Sequence, residues 1–145
     1  MESQIQESAA AGASAVLLIT AMLEPEHMAR LIGAARRHGL ETLVEVHSLA
    51  EVRKIKHLPF DLMGINNRDI TLFEVDDSDV GGTEELAKFC KDQRPLISES
   101  SISTADEVRR AGMSGADAIL IGTAVLKAAR MADFLRELTS VGWPI

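Results

Sequence analysis

The chain has 145 residues, 46% of them apolar, and a net charge of −7. That is enough for one domain with a real core, yet short of the roughly 250 residues of an eight-stranded β/α barrel. The acidic balance argues against nucleic acid and anionic membranes, which need basic patches, but not against a phosphorylated small molecule, which backbone N–H groups can hold.

The single cysteine, Cys90, excludes an internal disulfide and fits a reducing compartment. No run reaches the 18 or so apolar residues of a membrane span, and the start Met-Glu-Ser-Gln lacks the basic opening of a signal peptide. A cytoplasmic domain over residues 1–145 is expected, with no linker or low-complexity stretch to divide it.

In chain order, the first strand is expected at Ala15 to Ile19 (AVLLI). A helix follows over Pro25 to His38. Pro25 suits the first helical position, Met28, Leu31, Ile32 and Ala35 repeat at helical spacing, and Gly39 stops it. Thr42 to Val46 (TLVEV) is the second strand, and Ser48 with Glu51 reads as a capping box opening a helix that buries Val52 and Ile55. Asp61 to Ile65 (DLMGI) is the third strand, with a weaker helix over Thr83 to Cys90. Pro95 to Glu99 (PLISE) is the fourth, and Thr104 with Glu107 caps the next helix. Asp117 to Ile121 (DAILI) is the fifth, followed by a short helical run at Ala124 to Ala128 and a helix over about Met131 to Leu138.

Continuous apolarity in these runs is the mark of parallel strands buried on both faces, and the alternation argues an α/β fold of about five βα units. Gly12-Ala-Ser-Ala-Val-Leu-Leu-Ile19 also echoes Gly115-Ala-Asp-Ala-Ile-Leu-Ile-Gly122. Repeated αβ units suit a barrel and a doubly wound sheet equally.

Polar residues gather at the C-terminal ends of successive strands: Glu45 in TLVEV, Asn66-Asn-Arg-Asp69 after DLMGI, Ser98 to Ser101 around PLISE, and Gly122-Thr123 after DAILI. Each has a plain structural reading as an edge residue, a turn or a cap. Their shared position argues for a common mouth, where barrels bind and catalyse. Two carboxylates there, Glu45 and Glu99, can divide acid and base roles or hold a cation. Asn66 and Ser100 can orient hydroxyl or carbonyl groups. Gly122-Thr123 offers free N–H groups at a helix start, where barrels commonly take phosphate. His47 follows its strand toward the same end, while His27, His38 and His57 read as ordinary helix or loop residues without metal-ligand spacing. Cys90 reads as a buried structural thiol, and Trp143 as an anchor for the tail.

These segments, Gly12 to Ile19, Leu43-Val-Glu-Val-His47, Met63-Gly-Ile-Asn-Asn-Arg-Asp69, Ile97-Ser-Glu-Ser100 and Ala116 to Gly122, resemble strands four to eight of indole-3-glycerol-phosphate synthase in order and spacing. Gln4 to Ala11 is similar to that family's third helix. The resemblance implies a TIM-barrel type (β/α)8 fold, present in part, and no metal or organic cofactor. The implied reaction closes the indole ring of 1-(2-carboxyphenylamino)-1-deoxyribulose 5-phosphate with loss of CO2 and water, in tryptophan biosynthesis.

By the same resemblance Glu45 is the general base, and Asn66 contacts substrate with Arg68 in support. Glu99 and Ser100 form the strand-seven pair, and Gly122 and Thr123 the phosphate turn. Ser101 stands where the family has glycine. The family's two essential lysines and a further glutamate belong to its strands one and three. Lys54, Lys56, Lys88, Lys91 and Lys127 read as helix or loop residues that do not replace them.

Five strands do not close an eight-stranded barrel, so AVLLI and DAILI are expected at open edges that invite self-association or pairing with an N-terminal fragment. A non-catalytic partial barrel that binds phosphosugars or serves assembly is the alternative. A relative of phosphoribosylanthranilate isomerase would share the phosphate site but not GINNRD.

Overall fold

The computed structural model describes residues 1–68, 79–93 and 95–142. The order is α1 (Glu2–Ala10), β1 (Ala15–Ile19), α2 (Pro25–Arg37), β2 (Glu41–Val46), α3 (Leu49–Ile55), β3 (Leu62–Asn66), α4 (Gly81–Leu86), β4 (Leu96–Glu99), α5 (Ala105–Met113), β5 (Ala118–Leu120), α6 (Thr123–Lys127) and α7 (Met131–Thr139). All five expected strands form, and every pairing is parallel in the sequential order β1-β2-β3-β4-β5. Among the described residues β1 and β5 each pair on one side only, so the expected open edges are where the sequence put them.

Sequential parallel strands joined by right-handed crossovers send every helix to the same side of the sheet. Burial follows that rule. Leu18, Val44, Val46, Met63, Ile65 and Leu96 face the helices and are at most 5% exposed. They pack with Met28, Leu31, Ile32, Ala35, Val52 and Ile55, the helix positions picked out by spacing. The opposite face carries Leu17, Glu45, Gly64, Glu99 and Leu120 by strand alternation. Among the described residues no helix covers it, and Leu17 and Leu120 are 46% and 50% exposed there.

Strands β3, β4 and β5 each start one residue later than their apolar runs suggest, and at the starts of β3 and β5 an aspartate acts as a staple. Asp61 accepts hydrogen bonds from the Thr42 N–H (2.8 Å) and hydroxyl (2.9 Å), and Asp117 accepts from the Leu96 N–H (2.7 Å). Each ties its own strand to the foot of the preceding one. Glu107 and Thr104 complete the expected capping box at α5. At α3 the Ser48 hydroxyl accepts from Glu51 N–H, but the Glu51 carboxylate reaches one residue further back, to His47 N–H at 2.7 Å. Helix α4 begins earlier than the expected Thr83 and is followed by a 3-10 turn at Ala87–Phe89.

The sequence echo is structural too: Gly12 (φ 84°) and Gly115 (φ 107°) both turn the chain from helix to strand in the left-handed region. Cys90 is buried, and burial pushes its thiol up to about 11. Among the described residues no helix is long and apolar enough to cross a membrane. Asp69 and Trp143 lie outside the described residues.

Candidate functional site

The strand ends bring the expected residues to one rim. Glu45 is the fifth residue of β2, opposite Gly64 in β3, and Asn66 at the end of β3 is opposite Glu99 at the end of β4. Arg68, Glu99, Ser100, Ser101, Gly122 and Thr123 line one cavity of about 350 Å3 together with Ser103 and Leu120. The Asn66 side-chain oxygen accepts the Arg68 N–H at 3.0 Å and so bends the chain out of the strand. The predicted lysine positions do not enter this lining. Lys54 donates to the Leu23 carbonyl at 3.2 Å, and Lys88 sits over the Phe89 ring.

At the centre lie two buried carboxyl groups, with Glu45 5% and Glu99 3% exposed. Gly64 forms the floor beneath them: a Cβ there would lie 1.7 Å from Glu99 Oε1. A glycine inside a strand marks such a close approach, and the G of DLMGI is the one sequence signal for this packing. Burial pushes the Glu99 carboxyl up to about 8, and the charge of Glu45 and a hydrogen bond with it push in the same direction. Near neutral pH the pair therefore retains a proton, the arrangement that lets two like groups act as acid and base.

His47 extends the pair outward. Its Nε2 is 3.3 Å from Glu45 Oε1 and its Nδ1 is 3.5 Å from Glu51 Oε2, with 12% of its side chain exposed. Strand alternation puts residues 45 and 47 on one face, which is the only signal the sequence offered for this contact.

The loop after β4 is held in an uncommon conformation. Ser100 (φ 63°) and Ser101 (φ 53°) both occupy the left-handed region, which costs a non-glycine residue about 1 kcal/mol. Glycine at Ser101 satisfies that backbone at no such cost. The Ser101→Gly variant is expected to be more stable by about 1 kcal/mol, read as a higher midpoint in thermal melts. A lower midpoint would mean that the hydroxyl holds the loop.

Asn67, part of the polar cluster expected after the third strand, is 8% exposed. Its amide donates to Ser98 Oγ (3.0 Å), Glu99 O (2.9 Å) and Ser100 O (3.2 Å), and its oxygen accepts from the Thr83 N–H and hydroxyl, each at 2.9 Å.

The family model described as Indole-3-glycerol phosphate synthase matches residues 1–138. The indole-3-glycerol phosphate synthase of Thermococcus kodakarensis is 43% identical over 140 residues, covering 97% of this chain and 61% of that protein. The enzyme of the same name from Streptococcus pneumoniae is 39% identical, over 94% of this chain and 52% of its own length. The chain thus spans between half and about three fifths of the relatives it matches. A solved tryptophan synthase alpha-subunit from Pyrococcus furiosus superposes with a TM-score of 0.73 at 16% identity, covering 96% of this chain and 60% of that one. A 3-hexulose-6-phosphate synthase superposes with a TM-score of 0.72 at 17% identity, covering 97% and 67%. These two likenesses concern the fold alone, a parallel sheet of TIM-barrel type.

Proposed function

The chain belongs to the indole-3-glycerol phosphate synthase family, and from that premise we propose that it carries the acid–base pair and the phosphate pocket of a barrel that closes an indole ring. The substrate is 1-(2-carboxyphenylamino)-1-deoxyribulose 5-phosphate, which loses CO2 and water. One observation carries the reading: Glu45 and Glu99 meet over Gly64 on the sheet face that helices leave open, beside a cavity lined by Arg68, Ser100 and Ser101. A proton shared by two carboxyls suits a step in which one proton is removed and a hydroxyl leaves as water.

In this reading Glu45 is the base, Asn66 and Ser100 orient the substrate, and Glu99 holds the shared proton. The substrate phosphate lies against Ser101, Gly122 and Thr123, with Arg68 supplying positive charge on the same wall. The open edges at β1 and β5 are where a further barrel segment or a second copy pairs.

The test is to supply the substrate to the chain alone and to the chain mixed with a fragment carrying strands one to three of a family barrel, following indole product by fluorescence. Product is expected with the fragment, and Glu45→Gln is expected to lower the rate by about a hundredfold or more. Product from the chain alone would overturn the need for completion. The uncovered sheet face favours one second reading, a non-catalytic module that binds phosphosugars. Phosphate binding without product in either mixture would support it.

A further inference from the structure

We propose that Asn67 is the positioning residue of the phosphate pocket: its side-chain amide sets the left-handed Ser100–Ser101 turn that forms one wall. The inference rests on the pocket assignment made above, and it concerns a residue outside the expected substrate contacts.

The hydrogen-bond directions around Asn67 follow from counting protons. The single Thr83 hydroxyl proton goes to Asn67 Oδ1 at 2.9 Å. The 2.7 Å contact between the Thr83 and Ser98 hydroxyls must then use the Ser98 proton. Ser98 Oγ is left to accept from Asn67 Nδ2, at 3.0 Å. The three side chains close a ring in which each donates once to the next and accepts once. Thr83 and Ser98 are fully buried, so no solvent competes, and each bond reinforces its neighbours. The Thr83 N–H, which can only donate, and the Glu99 and Ser100 carbonyls, which can only accept, fix the amide with nitrogen toward β4 and oxygen toward α4.

That orientation aims the remaining donor capacity at the turn. With one Nδ2 proton on Ser98, the other is shared between the carbonyls of Glu99 at 2.9 Å and Ser100 at 3.2 Å, and the Asn67 backbone N–H also donates to Glu99 O at 2.9 Å. The Ser100 N–H donates the other way, to Leu120 O at 3.3 Å. Ser100 is therefore held from both sides, by the end of β3 and by β5. With both carbonyls drawn back to Asn67, the turn presents Ser100, Ser101 and Ser103 to the cavity opposite Gly122 and Thr123. An amide at residue 67 thus fixes a wall to which it contributes no lining atom.

Aspartate is the informative replacement because it keeps the shape and loses the donors. In Asn67→Asp a carboxylate oxygen faces the Glu99 and Ser100 carbonyls, and the turn is driven off. Thr83→Val breaks the same ring from the other side, removing a buried hydroxyl but leaving the amide contacts to both carbonyls.

Both variants are expected to lose stability, so affinity is read only on folded molecules, by titrating the chain with inorganic phosphate and following amide shifts. The wild-type chain is expected to shift Ser100–Ser103 and Gly122–Ala124. Asn67→Asp is expected to weaken phosphate binding at least tenfold, and Thr83→Val to stay within about twofold of wild type. Equal weakening in both would reduce Asn67 to a merely structural role and overturn the proposal, as would unchanged affinity in Asn67→Asp. A wild-type chain that shows no phosphate shifts would overturn the pocket reading, and this inference with it.

Discussion

Replacing Gly64 with alanine is expected to disable the site while leaving the fold almost intact. The new Cβ falls 1.7 Å from Glu99 Oε1 and 2.7 Å from its Cδ, while the next atom, Leu43 Cδ1, is at an ordinary 3.4 Å. The only obstacle is thus a side-chain end, which can swing off the sheet into the open mouth. Alanine in place of glycine also favours an extended strand slightly, so net stability should change by no more than about 1 kcal/mol. The site itself changes more. Glu99 regains water and leaves Glu45, which removes the causes that hold its proton. Its midpoint, about 8 in the wild type, should fall toward the ordinary carboxylate range, as read by carbon-13 shifts of labelled glutamate. In a completed barrel the rate should fall by about a hundredfold or more, since misplacement by an ångström has that effect. A midpoint that stays near 8 would mean that the floor beneath Glu99 is not what confines it.

The second large effect is on stability. Glu99 is held at about 8 against an ordinary 4.5, with burial the largest cause and Glu45 the next. In the unfolded chain this carboxyl releases its proton near 4.5, while the folded chain keeps it until about 8. Between those values the folded state binds more protons, so stability falls as pH rises through the window. Below 4.5 both states are protonated and the contribution is fully present. Glu99→Gln keeps the shape and cannot ionise, so its contribution should be flat across the same range. At pH 8 the variant is expected to be more stable than wild type by on the order of 4 kcal/mol, and near pH 4.5 about equal to it. Denaturant melts at the two pH values measure this. Equal pH slopes in the two proteins would sink it.

A residue that destabilises the fold when ionised fits the proposed acid–base role, because active sites hold groups in states that the rest of the protein would avoid. Both predictions concern the same feature, a carboxyl pair buried on the face that helices do not cover. They differ in what they remove: Gly64→Ala displaces Glu99, and Glu99→Gln neutralises it in place.

The fold was largely legible in the sequence because its determinants are local. Apolar runs such as AVLLI and TLVEV, the Met28, Leu31, Ile32 and Ala35 stripe, and the Thr104–Glu107 box all act within a few residues of chain. The ends of the shorter strands were not legible, since Asp61 and Asp117 bond to Thr42 and Leu96, about twenty residues away.

The site divides in the same way. Polar residues at the C-terminal ends of strands marked Glu45, Asn66, Glu99, Ser100 and Gly122-Thr123 as a common rim, because parallel strands with one-sided crossovers bring those ends together whatever the loops contain. Recognition of GINNRD and SES supplied the family. The tertiary structure alone decided which rim residues touch. That Glu99 lies over Gly64, that His47 stands between Glu45 and Glu51, and that Asn67 closes a ring with Thr83 and Ser98 all depend on strand register and on where α4 returns. Register is a property of the assembled sheet: a one-residue slip would turn strand residues such as Glu45, Ser98 and Glu99 to the other face.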